Sequence, residues 1–238
     1  MLYIIGLGLN KKGISKEGLE IAKRCKKVYL ENYTVDFPYS IGEITEELGK
    51  KISPADREKV ESLEIVDESQ RSDVALLVYG APLTATTHIS LIQEAIRMGI
   101  KYKVIYSASV IDAVAETGLQ LYKFGKITSM PAWKKSYEPD SFMEVVKENQ
   151  GIEAHSLILI DIGLDIQDAM GQLKIAAENH KVKLDKFVIC QSLGTVKQKI
   201  FYKTFEEFKE FTGVRKPYCI IIPGKLHFAE KEFLEIYG

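Results

Sequence analysis

The sequence is poor in cysteine, in histidine and in net charge. Three cysteines occur in 238 residues, Cys25, Cys190 and Cys219, with no Cys-x-x-Cys pair and no Cys/His cluster. That odd, scattered set argues against a disulfide framework and a structural zinc site, and fits a reducing, cytoplasmic compartment. Lys and Arg number 32 against 33 Asp and Glu, for a formal net charge of -1. No global field therefore points to nucleic acid or to an anionic membrane. Local pairs such as Lys11-Lys12 and Lys134-Lys135 read as solvated loops. Long apolar runs are also missing. Residues 74–93 carry no formal charge, but Gly80, Pro82, several threonines and His88 break the stretch into a strand, a loop and a helix start rather than a membrane span. The apolar opening MLYIIGLGLN is too short for a signal peptide, lacks a basic flank and reads as a buried strand.

What remains is ordinary globular composition, 46% hydrophobic and 27% charged. Apolar runs of strand length alternate with amphipathic helical stretches. Residues 2–7 are a strand, and Ser15 caps a helix with Leu19, Ala22 and Cys25 on one side. Residues 28–30 are a strand, 37–40 a loop and 41–48 a helix. Ser53-Pro54 predicts the cap and first turn of another helix over 55–60. Residues 74–79 form the clearest buried strand, followed by a helix with Ile89, Ile92, Ala95 and Ile96 inward. A strand over 104–106 and a helix over 110–115 follow. In the second half, strands over 156–162 and 187–190 flank a helix over 167–177. Residues 199–202 pair as a hairpin, 218–222 form a strand ended by Pro223-Gly224, and the tail from Ala229 is helical. This alternation predicts an α/β class with two open α/β domains, residues 1–108 and 109–238, and much parallel pairing. Ligands of such sheets bind at strand C-terminal ends, here between the halves.

Four stretches carry chemical signals. Gly6-Leu7-Gly8 follows the first strand, and Glu31 ends the second, as in a dinucleotide site. The third glycine of that pattern is replaced by Lys11, so the pyrophosphate cradle is incomplete and a nicotinamide cofactor is not expected. The glycines still imply a tight turn or a close approach. Gly80-Ala81-Pro82-Leu83-Thr84-Ala85-Thr86-Thr87-His88 is a small-residue loop between a strand and a helix N-terminus, suited to a ligand lying on backbone. Thr86 or Thr87 would cap the helix, and His88 reads as a hydrogen-bonder at its start. Residues 117–126 combine a helix stop with Tyr122, Phe124, Lys123 and Lys126. Pro223-Gly224-Lys225-Leu226-His227 ends the last strand. No catalytic triad and no metal cluster is present.

Taken in order, the turn at 6–9, Glu17-Gly18-Leu19-Glu20, the 80–88 loop, residues 117–125, Asp161-Ile162 and residues 223–227 resemble the diphthine synthases of the tetrapyrrole-methylase superfamily. The resemblance spans nearly the whole chain. The blocks Ala85-Thr86-Thr87-His88, Tyr122-Lys123-Phe124-Gly125 and Pro223 to His227 are highly specific to that family. It implies two α/β domains with S-adenosyl-L-methionine in the cleft between them, S-adenosyl-L-homocysteine as product, and a homodimer. It implies a protein substrate, translation elongation factor 2, at a histidine bearing a 3-amino-3-carboxypropyl arm whose amine is methylated stepwise to diphthine. Carried over by position, the cofactor site comprises Leu9, Ala81, Thr84, Ser109, Val110, Ile160, Leu193 and Tyr218. No catalytic residue is assigned.

Two departures stand out. The family has Asp where Ala81 stands, and an Arg near Ser192 where this chain has Gln191 and Ser192. Weakened but retained cofactor binding is the expectation. Lys123 or Lys126 is a candidate partner for the arm's carboxylate, and Tyr79, Tyr106 and Tyr122 are expected in the core. A tetrapyrrole or other small-molecule methyltransferase of the same fold, and a non-catalytic paralogue, are the alternatives.

Overall fold

The computed structural model describes residues 1–209 and 213–238. The chain divides into two compact units, Met1–Val110 and Ile111–Gly238. In the first, the order is β1 (Leu2–Gly6), α1 (Lys16–Arg24), β2 (Lys27–Glu31), α2 (Ile41–Leu48), β3 (Ser53–Ala55), α3 (Arg57–Glu61), α4 (Glu64–Ser69), β4 (Val74–Val78), α5 (Ile89–Arg97) and β5 (Tyr102–Ile105), with α6 (Val110–Ala113) beginning at its end. The strands form one sheet in the order β3-β2-β4-β1-β5, and every pairing in it is parallel. Crossover helices cover both faces, so the strands are apolar on both sides. Tyr3, Ile5, Ala75 and Leu77 pack on one face. Leu2, Ile4, Val74, Leu76 and Val78 pack on the other. Ser15 caps α1 as its type predicts, its hydroxyl accepting from Gly18 N at 3.0 Å.

Two expectations change here. Ser53-Pro54 does not open a helix, because both residues lie in edge strand β3, where Pro54 pairs opposite Leu30. An edge position tolerates the missing N–H of proline. Asp56 caps the helix instead, accepting from Lys59 N at 2.9 Å. The inner face of α5 is Leu91, Ile92 and Ala95, while Ile89 is 52% and Ile96 61% exposed. At about 100° per residue those three share a side and the two isoleucines fall on its flank.

The second unit holds β6 (Thr128–Met130), α7 (Ser141–Gly151), β7 (Ser156–Ile160), α8 (Ile166–His180), β8 (Lys186–Gln191), β9 (Lys199–Thr204), α9 (Phe205–Lys209), β10 (Tyr218–Ile222) and α10 (Phe228–Leu234). The sheet order is β6-β7-β10-β8-β9. Only β6 and β7 run parallel; β10 lies antiparallel between β7 and β8, and β8 with β9 forms the expected hairpin. The expectation of much parallel pairing therefore holds for the first sheet and fails for the second. A parallel neighbour needs a long crossover, and the short 192–198 connection supplies only an antiparallel turn. Phe142, Met143, Val146, Leu173, Phe187, Ile189 and Ile220 centre the core.

A buried charge closes this unit. Glu230 of α10 is 1% exposed. It pairs with Lys123, and accepts from Gln120 N at 3.0 Å and His227 N at 2.7 Å. His155 Nε2 lies 3.1 Å from it, and Gly224 N donates to His155 Nδ1 at 2.9 Å. Burial works against the carboxylate, but Lys123, the two amides and His155 outweigh it and hold the carboxyl down at about 2. Burial also lowers the His155 imidazole, with Glu230 opposing. The folded Glu230 is thus more acidic than the unfolded one, whose value is near the ordinary ~4.3. Its contribution is complete above that value and is lost as pH falls towards about 2. His155 is lowered too, so the unfolded chain gains a proton first as pH drops below ~6.5, again favouring unfolding in acid. Urea unfolding followed across this range is expected to show stability falling on acidification. Glu230→Gln should lose roughly 1.5–3 kcal/mol at neutral pH and flatten the slope below pH ~4.3; an unchanged slope would overturn this assignment.

Candidate active site

In the first sheet, β1 leads through α1 to β2 on one side, while β4 leads through α5 to β5 on the other. Adjacent β1 and β4 therefore form a topological switch point, where the connecting chains leave a crevice at the strand C-terminal ends. The glycine turn and the 80–88 loop emerge there. They are tied together: Gly8 N donates to Gly80 O at 3.1 Å and Gly80 N to Gly8 O at 3.0 Å. A Cβ on Gly6 would lie 2.7 Å from Gly80 O, and one on Gly8, at φ +66°, would lie 2.8 Å from Gly13 O. The glycines thus permit this backbone-to-backbone approach. Ser107 Oγ donates to Gly13 O at 2.8 Å and fixes the third wall of this corner.

The five cofactor candidates of this unit gather around the crossing. Leu9 leaves the glycine turn, its side chain buried and its carbonyl accepting from Tyr79 Oη at 3.2 Å. Ala81 and Thr84 sit half-buried in the loop, and Ser109, 5% exposed, precedes half-buried Val110. The Cα and Cβ of Ser109 come within about 4 Å of where a Gly80 Cβ would stand. The loop is strained, with φ of +70° at Gly80, +67° at Leu83 and +54° at Ala85. Such backbone persists where surroundings hold it, and it clusters at ligand sites.

The other three candidates share one end of the second sheet. Because β10 runs antiparallel to its neighbours, Tyr218 at its start pairs with Gln191 and stands level with Ile160 at the end of β7. Leu193, buried, follows β8 by two residues. Tyr218 is buried and donates from Oη to Leu164 O at 3.1 Å. Gln191 fastens this corner, donating to Lys197 O at 2.9 Å and accepting from Arg215 N at 2.7 Å. In each unit the loop-end carbonyls and amides, with few charged side chains, suit a ligand held by its polar edges.

Other sequence candidates are placed differently. Glu31 is wholly buried and accepts from Tyr33 N at 2.8 Å and Thr34 Oγ1 at 2.7 Å. No threonine caps α5; His88 takes the cap position without a side-chain bond. Lys123 is engaged by Glu230 and donates to Lys225 O at 2.7 Å, and Lys126 pairs with Glu148. A buried carboxylate demands its counter-charge, so Lys123 does not present itself to a substrate. Tyr106 and Tyr122 are 69% and 83% exposed, not core, whereas Tyr79 is half-buried. The specific blocks at 122–125 and 223–227 converge on the Glu230 knot, beside a groove of about 540 Å³ lined by Tyr122, Phe124, Ile152 and Lys225. Residue reading missed Glu230 and His155; the only trace was a glutamate three positions after His227.

Among the described residues, no group of three or more His, Cys, Asp or Glu could hold a metal ion. No described helix is long and apolar enough to cross a membrane.

The family described as Tetrapyrrole (Corrin/Porphyrin) Methylases matches residues 1–209. The chain is 35% identical to the diphthine methyl ester synthase of Mus musculus over 271 residues, covering 100% of this chain and 96% of that protein. It is 36% identical to the diphthine synthase of Methanocaldococcus jannaschii over 251 residues, covering 99% and 98%. A crystal structure of diphthine synthase matches with a TM-score of 0.89 at 31% identity, covering 100% of this chain and 95% of that one. With a family match over most of its length and relatives of this similarity, the chain belongs to the tetrapyrrole methylases and is a methyltransferase.

Proposed function

We propose that this methyltransferase is a diphthine synthase. It takes methyl groups from S-adenosyl-L-methionine, leaves S-adenosyl-L-homocysteine, and methylates the amine of the 3-amino-3-carboxypropyl-histidine on translation elongation factor 2. The observation that carries the reading is the switch-point crossing of Gly8 and Gly80, in a chain similar end to end to diphthine synthases. Leu9, Ala81, Thr84, Ser109 and Val110 in the first unit, with Ile160, Leu193 and Tyr218 in the second, hold the cofactor, mostly through backbone. When bound, the cofactor supplies an electrophilic methyl group on a sulfonium. The chain's task is then to align a neutral amine in line with it. Proximity and alignment of that kind contribute ~7–11 kcal/mol in favourable cases. An imidazole inside a folded loop offers no flexible aliphatic amine, whereas the carboxypropyl arm does. The chain acts as a homodimer in the cytoplasm.

Intact-mass measurement on three targets tests the substrate: unmodified elongation factor 2, the carboxypropyl intermediate, and a macrocyclic tetrapyrrole. Mass gains in steps of one methyl group on the intermediate alone are expected. Turnover of the macrocycle alone, or equal methylation of the unmodified factor, would reject the assignment. The number of steps distinguishes amine methylation from further esterification of the carboxylate.

Two variants test the cofactor site by calorimetry with S-adenosyl-L-homocysteine. Ser109→Trp should abolish binding while the fold is retained by circular dichroism; unchanged affinity would remove Ser109 from the pocket. Ala81→Asp adds a hydrogen bond of ~0.5–1.5 kcal/mol and should tighten binding by up to about tenfold. Large weakening instead would show a loop rebuilt for another ligand.

A further inference from the structure

The far end of the switch-point loop contains polar atoms that its own chain leaves unserved. His88 is 0% exposed, and neither Nδ1 nor Nε2 has a hydrogen-bond partner among the described residues. Thr86 Oγ1 and Tyr33 Oη are likewise shut from solvent without a bond among the described residues. The Tyr33 ring stands edge-on to His88, with centroids 6.4 Å apart, and Thr87 lies near its hydroxyl. Buried Glu31 at the end of β2 accepts from the Tyr33 amide at 2.8 Å. The His88 imidazole and the Tyr33 ring thus meet beyond the ends of β2 and β4, with Thr86 and Thr87 directly preceding His88 in the chain.

Buried donors and acceptors are almost always satisfied, by protein or by ordered water. The chemistry of the corner selects its guest. Burial lowers the His88 imidazole to about 4, so at neutral pH it is uncharged, with one donor and one acceptor nitrogen. Burial and the charge of Glu31 push the Tyr33 phenol up to about 12, so it keeps its proton. A cation lies nearby in Arg57, whose guanidinium sits 5.3 Å from the centre of the Tyr33 ring, and Glu61 pairs with it at 3.8 Å and offsets its charge. A neutral guest that both donates and accepts satisfies this set, and water does so with two to four bonds.

The loop has a use for such a guest. Between Gly80 and His88 it contains three positive φ angles, and its internal backbone bond from Thr84 N to Ala81 O is long, at 3.4 Å. We propose that the corner formed by Tyr33, Thr86 and His88 is a binding site for ordered water, and that this hydrated brace holds the 80–88 loop in its cofactor-binding shape. His88 is then a positioning residue. The second half of the proposal rests on the reading of residues 81 and 84 as cofactor contacts.

A crystal structure at water-resolving resolution, with calorimetry of S-adenosyl-L-homocysteine binding, tests both halves. Electron density for water is expected within ~3.2 Å of a His88 nitrogen and of Thr86 Oγ1 or Tyr33 Oη. A corner without density, or one holding a metal ion or an organic group, would overturn the site. His88→Leu should weaken S-adenosyl-L-homocysteine binding about tenfold or more without lowering the melting temperature, and His88→Gln should recover most of the affinity. If His88→Leu fails to fold, Thr86→Val and Tyr33→Phe, each lacking one hydroxyl, decide the matter. A severalfold loss of affinity in either supports the brace, and wild-type affinity in both overturns it. Failure of the wild-type protein to bind the cofactor product would instead reject the cofactor reading, while the density would still decide the water site.

Discussion

The mutual pair of hydrogen bonds between Gly8 and Gly80 is the constraint on which the corner at the C-terminal end of the first sheet depends. It ties together the chain leaving β1 and the chain leaving β4 just where their onward connections part. With side chains there, the two backbones could not approach: a Cβ on Gly6 would meet Gly80 O and Pro82 Cδ at 2.7 Å. This explains why the chain has glycines after its first strand yet lacks the third glycine of a pyrophosphate site. The turn receives another loop of the same unit. Leu9, Ala81, Thr84 and Ser109 owe their grouping to that crossing.

The second unit reaches a comparable arrangement by different means. Inserting β10 antiparallel between β7 and β8 places one strand's start level with its neighbours' ends. Ile160, Leu193 and Tyr218, separated by up to 58 residues of sequence (218 − 160), thereby occupy one sheet end. At the opposite end of β10, Pro223-Gly224 leads into the Glu230 knot. A Cβ at Gly224 would stand 2.4 Å from the carbonyl oxygens of Glu153 and Ala154, so the strand exit must be bare for this corner to close. Motifs that look like a binding surface in the sequence are here largely occupied in serving one buried carboxylate. Lys123 illustrates the difference: its charge is spoken for by Glu230.

Much of the architecture was legible in the sequence because buried parallel strands must be apolar on both faces. The run at residues 74–79 announces itself in this way, the central antiparallel strand over 218–222 is equally apolar because it too is buried on both faces, and Ser15 announces the helix it caps. Residue type fails where context reverses its meaning. Pro54 suits a helix start and an edge strand equally well, and only the pairing with β2 decides. Periodicity alone does not fix the buried stripe of α5, because several apolar residues surround the helix, and the sheet beneath it selects Leu91, Ile92 and Ala95.

The sequence by itself determined the α/β class, the strand–loop–helix character of residues 74–97 and the resemblance to diphthine synthases, since these reside in local pattern and in short fixed motifs. Only the tertiary structure decided that the second sheet is mainly antiparallel, that Glu230 and His155 are buried partners, and that His88 is enclosed with its nitrogens unserved by the described residues. The reason is physical. Strand direction, counter-ion and burial are properties of what lies opposite a residue, and for His155 and Glu230 that neighbour is 75 positions away in the chain.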